Sequence, residues 1–234
     1  NYSIDFTGGT LVELAFSKTP DLGTVRHTLE TAGYGDAVVQ TFGGDKDLLI
    51  RLRTRPGESS AVASKILSVF KNDPAAYPGV QLRRTEYVGP EVGKELRNKG
   101  ILALIVVTIG ILIYVGFRFE WRFATGGVLA MLHDPILVVG YFAVSHQEFS
   151  MTVIAALLVI MGYSLNDTVV VFDRMREDLR AARNGSVAEI FNIAINETLS
   201  RTIITSFITF MVALALFIFG GPVIHGFATA LVIG

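Results

Sequence analysis

Asp167 stands inside an apolar run that starts at Phe149 and reaches Phe172. Such a run is long enough to cross a bilayer, which takes about 20 predominantly apolar residues. A carboxyl group at that depth is costly and marks an ion site, a proton relay or a buried ion pair. At 1.5 Å per residue it lies about 7–8 Å from the end of the run. Ser164 and Thr168 lie near it on the same helix and can wet the site, whereas Asn166 suits either the site or a bond to a neighbouring helix. Arg201 opens a later apolar run, Thr202–Phe219, and Thr205 and Thr209 follow at i+4 and i+8, which makes one polar stripe. Alone, Arg201 reads as a charge at the membrane edge. With Asp167 on the same side of the membrane, the sharper expectation is an ion pair across two neighbouring helices, with Thr205 and Thr209 extending the polar path.

His133-Asp134 precedes Pro135 inside another apolar run. One such pair supplies too few ligands for a metal. A hydrogen-bonding role is the plainer reading and a secondary place on a proton path the sharper one. Asp5, Asp173 and Glu177 read as solvated or capping charges, and His27, His146 and His225 form no grouping. The sequence contains no Ser/His/Asp set, paired carboxylates or phosphate loop, and no cysteine, so no enzyme, cofactor or metal centre is expected.

These residues need elements to hold them. The chain has 234 residues, 51% hydrophobic and 18% charged, and the polar ones gather before residue 100. That asymmetry predicts an α+β domain over 1–95 followed by an α-helical membrane bundle over 96–234. A net charge of −1 gives no field for nucleic acid. In the first part, strands are expected at Thr10–Phe16, Ala37–Phe42, Leu48–Leu52 and Val80–Val88. Helices are expected at Leu22–Thr31 and Ser59–Phe70, with a hairpin turn at Gly43-Gly44-Asp45. This β-α-β-β-α-β order is the ferredoxin-like one. In the second part, spans are expected near 100–117, 123–144, 149–172 and 202–219, and an incomplete one at 222–234.

Arg118 and Arg122 lie in one connection, and Arg174, Arg176, Arg180 and Arg183 in another on the same side. The loops Ser145–Glu148 and Gly220–Gly221 carry no Lys or Arg. The positive-inside rule makes the Arg-bearing side cytoplasmic and residues 1–95 outward-facing. Lys94, Arg97 and Lys99 point the other way and are outweighed by the several short loops. Ser186-Val187-Ala188-Glu189 predicts a capping box. The amphipathic helix it opens is expected at the membrane surface or under the bundle, leading into Arg201. The chain starts without a signal peptide and stops inside an apolar segment, so both ends read as cuts in a longer protein.

Three motifs in order carry a resemblance. Ile4-Asp5-Phe6-Thr7-Gly8-Gly9-Thr10, Val88–Leu96 and Gly162–Arg174 are similar to segments of the SecF family, membrane subunits of the bacterial protein-export machinery. The related SecD family typically has Asp-Ala-Asn where this chain has Asn166-Asp167-Thr168. The resemblance implies a transport subunit of the bacterial cytoplasmic (inner) membrane, similar to the proton-driven RND transporters. It implies SecD, the SecYEG channel complex, an unfolded exported polypeptide and membrane lipid as partners, and a role for the proton gradient in export. It puts the family's intramembrane Asp and Arg on Asp167 and Arg201, and implies that a first span and most of a last one lie outside the chain. Two other readings stay open: half of an RND small-molecule efflux transporter, and a passive assembly subunit in which Asp167 and Arg201 form a structural pair.

Overall fold

Thr10, Val12 and Leu14 alternate with Leu11 and Glu13, the period of a strand with two distinct faces. In a computed structural model of the chain they form β1 (Gly9–Ala15), the inner strand beside β3 (Asp47–Leu52). Two further strands, β2 (Val38–Thr41) and β4 (Gln81–Val88), complete a sheet of order β2-β3-β1-β4, antiparallel throughout. The structure describes residues 2–42, 44–53, 58–119, 121–181 and 186–234. Gly43 of the expected turn and Arg183 of the expected cytoplasmic connection lie outside them.

The register pairs Val12 with Ile50 and Leu14 with Leu48, so one face of the sheet is continuously apolar. Helices α2 (Leu22–Thr31) and α3 (Ser59–Lys71) close on it, burying Val25, Leu29, Ile66 and Phe70. Phe16, Phe70 and Tyr77 meet edge-on or tilted, with centroids 4.8–6.0 Å apart. Asp21 caps α2 by accepting from the Thr24 amide and hydroxyl, both at 2.8 Å, and these bonds hold its carboxyl below the usual carboxylate range.

On the opposite face, a short helix absent from the sequence expectations, α1 (Ile4–Thr7), sets Ile4 against Leu11 and Leu49. Ser3 starts it by accepting from the Asp5 amide. Gly8 and Gly9 then turn the chain into β1 with φ of +70° and +126°, which L side chains rarely adopt. Their backbones also approach others closely. A Cβ on Gly8 would stand 2.8 Å from Pro90 Cα, and one on Gly9 would stand 2.4 Å from the Leu52 carbonyl oxygen. From the other side, a Cβ on Gly93 would lie 3.0 Å from the Gly8 nitrogen.

The chain divides into two compact units, Tyr2–Lys99 and Gly100–Gly234. The second is helical: the end of α4 (Pro90–Arg118), then α5 (Trp121–Val144), α6 (Met151–Ala181), α7 (Val187–Phe219) and α8 (Gly221–Ile233). The first four are long and apolar enough to cross a membrane. At its centre α6 buries Val153, Ala156, Leu157, Ile160 and Met161 against α5 and α8. By contrast α4 and α7 leave Val106, Ile109, Phe207 and Ile208 about half exposed, a surface that suits hydrocarbon and not water.

Two helices are longer than their apolar runs. α6 continues nine residues past Phe172 because Arg174 makes i+3 and i+4 pairs with Glu177 and Asp178, at 2.9 and 3.4 Å, and no Gly or Pro interrupts it. The segment from Val187 is not a separate surface helix. It is the first part of α7, which runs unbroken through Arg201. The expected capping box forms: Ser186 Oγ accepts from the Glu189 amide at 3.2 Å, and the Glu189 carboxylate accepts from the Ser186 amide at 3.0 Å. Thr198 returns its hydroxyl to the Ala194 carbonyl at 3.0 Å, which satisfies it within the helix before Arg201.

The two glycines give a direct test. Gly8→Ala and Gly9→Ala are each expected to lower the stability of the Tyr2–Lys99 unit by about 1–3 kcal/mol through backbone strain. Gly35→Ala, with nothing nearer than Glu30 Cγ at 3.8 Å, should be neutral. Thermal unfolding of the three variants checks this, and equal behaviour of all three would refute it.

Candidate functional site

The site lies where α6 and α7 run antiparallel. Tyr163 donates from its hydroxyl to the Thr205 carbonyl at 2.7 Å, and Arg174 pairs with Glu197 further along the same seam. These two contacts set how far α7 is slid along α6. Between them, the half-buried Asp167 accepts from Thr205 Oγ1 at 3.4 Å on Oδ1 and from Ser206 Oγ at 3.3 Å on Oδ2. Both carboxyl oxygens are thus met by hydroxyls of the neighbouring helix, at the long end of hydrogen-bonding distance.

Arg201 is not the partner of Asp167 here. Glu197, Arg201 and Thr205 follow one another at i+4 on one face of α7, and the slide of the helices brings Thr205, not Arg201, level with the carboxyl. Arg201 stands one turn, about 6 Å, along the axis. Among the described residues its exposed side chain has no ion pair, and only its carbonyl is engaged, by the Thr205 hydroxyl at 3.0 Å. Thr205 Oγ1 also reaches the Thr202 carbonyl at 3.1 Å, so its single proton is shared among three acceptors. Ser206 was absent from the sequence expectations. It sits off the i, i+4 stripe, and its signal is only that of a second hydroxyl in an apolar run.

The other expected residues divide. Thr168 spends its hydroxyl on the Ser164 carbonyl, 3.0 Å away within α6, and so bonds inside its own helix. Asn166 points outward, exposed. His133 Nδ1 and Asp134 Oδ1 are 3.0 Å apart on α5, and no hydrogen bond among the described residues joins them to Asp167. Pro135 follows them inside α5 and removes the amide that would bond the Met131 carbonyl.

Asp173, expected to be a solvated or capping charge, is held in ion pairs. Arg118 Nη2, at the end of α4, donates to both its oxygens at 2.8 and 2.9 Å, and Arg176 Nη2 lies 3.4 Å from Oδ1.

Comparison with known proteins gives this arrangement a family. Residues 70–234 match the family described as protein export membrane protein SecD/SecF, C-terminal, and residues 1–20 match the SecD/SecF GG motif, which contains Gly8 and Gly9. The chain is 48% identical to protein translocase subunit SecF of Vibrio alginolyticus, with all of this chain and 74% of that protein aligned. It is 47% identical to SecF of Pseudomonas aeruginosa, with 75% of that protein covered. Among solved structures, SecDF from Thermus thermophilus, a translocon-associated membrane protein, superposes with a TM-score of 0.88 at 38% identity. The match covers all of this chain and 31% of that one. SecDF in a super-membrane-facing form matches at 0.66 and the same identity, over 32% of its chain. With its membrane helices and its double-glycine turn both accounted for, the chain belongs to the SecD/SecF family of protein-export membrane proteins.

Proposed function

We propose that the chain serves as an accessory subunit of the protein-export translocase of the bacterial cytoplasmic membrane, and that Asp167 is the group through which the proton gradient drives it. The carrying observation is that Asp167, on a membrane-length helix, is met by two hydroxyls and by no cation among the described residues. A hydroxyl both donates and accepts, whereas a guanidinium only donates. Thr205 and Ser206 therefore suit either protonation state. They donate to the carboxylate, and on protonation one of them turns to accept from the carboxylic acid. A guanidinium in direct contact would favour the charged form alone.

Arg201 enters this reading as the partner of a second state, reached when α7 shifts along α6 by about one turn. The two SecDF structures match this one chain at TM-scores of 0.88 and 0.66 at the same identity, which supports more than one arrangement in the family. Of the residues expected on a secondary polar path, this reading keeps Ser164 and Thr168, which stand beside Asp167 on α6.

The strand order β2-β3-β1-β4 with two helices on one face supports a ferredoxin-like reading of the first unit. In this reading residues 1–95 face outward and meet the unfolded exported polypeptide, and residues 96–234 form the membrane part, with SecD and the SecYEG channel as its partners. The names of the relatives, translocase subunits and a translocon-associated SecDF, support a transport role over an enzymatic one.

Asp167→Asn is expected to abolish gradient-dependent export while the amount of inserted protein stays unchanged, as measured by translocation into inverted vesicles and by immunoblot. Thr205→Val with Ser206→Ala should reduce it about tenfold, the scale of lost hydrogen bonds to a charged group. Full gradient dependence in the Asn variant would remove Asp167 as the coupling group.

Because the chain has no cysteine, orientation is open to labelling. Lys18→Cys should react with an impermeant maleimide from the outside, and Ala188→Cys only after permeabilisation. The reverse pattern overturns the orientation.

A further inference from the structure

Away from Asp167, the end of α4 and the last turns of α6 enclose an open cavity of about 600 Å³, lined by Arg118, Asp173, Arg176, Glu177, Arg180 and Ala181. Three of these residues are cationic and two are anionic. Asp173 lies between Arg118 and Arg176, and Glu177 is paired with Arg174 Nη1 at 2.9 Å. Arg180 is exposed and has no ion pair among the described residues. The lining thus keeps an excess of positive charge.

The two inner guanidiniums are held in place. Both lie over the ring of Phe119, at 5.1 and 5.6 Å, and Arg176 Nη1 also donates to the Arg118 carbonyl at 3.0 Å, closing the end of α4. Arg118 spends Nη2 on Asp173, which leaves the rest of its donor fork for another acceptor. Just before Arg118, α4 exposes Ile113, Tyr114 and Phe117, the last to 90%. A held, net-positive cavity therefore adjoins a bare apolar strip, at the end of two helices of membrane length.

We propose that this cavity binds the phosphate of an anionic phospholipid, with the acyl chains lying along Ile113, Tyr114 and Phe117. Basic pockets between membrane helices recognise such headgroups, and arginine forks suit phosphate oxygens. A soluble anion would use the cationic lining and leave the apolar strip without purpose. The site rests on the membrane reading of α4 and α6 and is independent of any proton step at Asp167.

Native mass spectrometry of the full-length protein in mild detergent tests it, titrating dimyristoyl phosphatidylglycerol against the phosphatidylcholine of the same chains. The wild type should bind the glycerol lipid more tightly. Arg180→Gln, which breaks no ion pair among the described residues, should weaken it about fivefold, the scale of one basic residue near a lipid surface. Glu177→Gln should tighten it, and Arg118→Gln with Arg180→Gln should erase the headgroup preference. Should the double variant fail to fold, the two single ones still decide. Equal binding of the two lipids, unchanged affinity in both single variants, or displacement of the lipid by millimolar inorganic phosphate would each overturn the proposal.

Discussion

Hydrocarbon offers a carboxyl group nothing to bond with, so whatever meets Asp167 has to come from protein or from water held between helices. That constraint accounts for much of the second unit. α7 carries Thr205 and Ser206 into an otherwise greasy run, and the same run holds the Tyr163 contact that keeps those hydroxyls level with the carboxyl. Arg174 and Glu197 clamp the seam further along. The carboxyl is thus bracketed by a hydrogen bond on one side and an ion pair on the other, and any movement of α7 along α6 must break at least one of them.

Much of this was legible in the sequence because it is periodic. The strands and helices of the first unit follow from apolar spacing at two and at three to four residues, and Val12, Leu14, Ile50 and Ile66 all reach the core. What escaped was set by contacts far apart in sequence. The stripe Arg201, Thr205, Thr209 was visible, but spacing along one helix says nothing about its slide past another, so the choice of Thr205 over Arg201 was not readable. Asp173 looked like an ordinary surface charge because its main partner, Arg118, is 55 residues away. Hydropathy likewise marks where hydrocarbon would end and not where a helix ends. α6 and α7 therefore outrun their apolar segments, α6 on i+3 and i+4 ion pairs and α7 from a capping box.

The exposed faces of α4 and α7 and the cationic cavity beside Phe119 follow the same logic. Within the bundle, apolar side chains pack against one another around α6, and where α4 turns outward they wait for a solvent that is itself apolar. Many of the polar groups stand where they are bonded: Asp167 between α6 and α7, and Asp173 with its two arginines at the ends of α4 and α6.

The double-glycine turn has a mechanical consequence. Gly9 pairs with Val88, so the chain enters the sheet at the start of β1 and leaves it at the end of β4 on the same edge of the ladder, with Gly8 seated on Pro90 at the fork. Tension applied between those two points peels the β1–β4 rungs apart one at a time and does not shear them together. Upstream of the fork, Ile4 of α1 is seated on Leu11 and Leu49, so on that side the load meets this apolar contact before it reaches Gly8 and Pro90. The resistance of the unit to being unzipped from that end therefore rests on two small contacts, Ile4 under the sheet and Gly8 against Pro90, and not on the whole β1–β4 ladder.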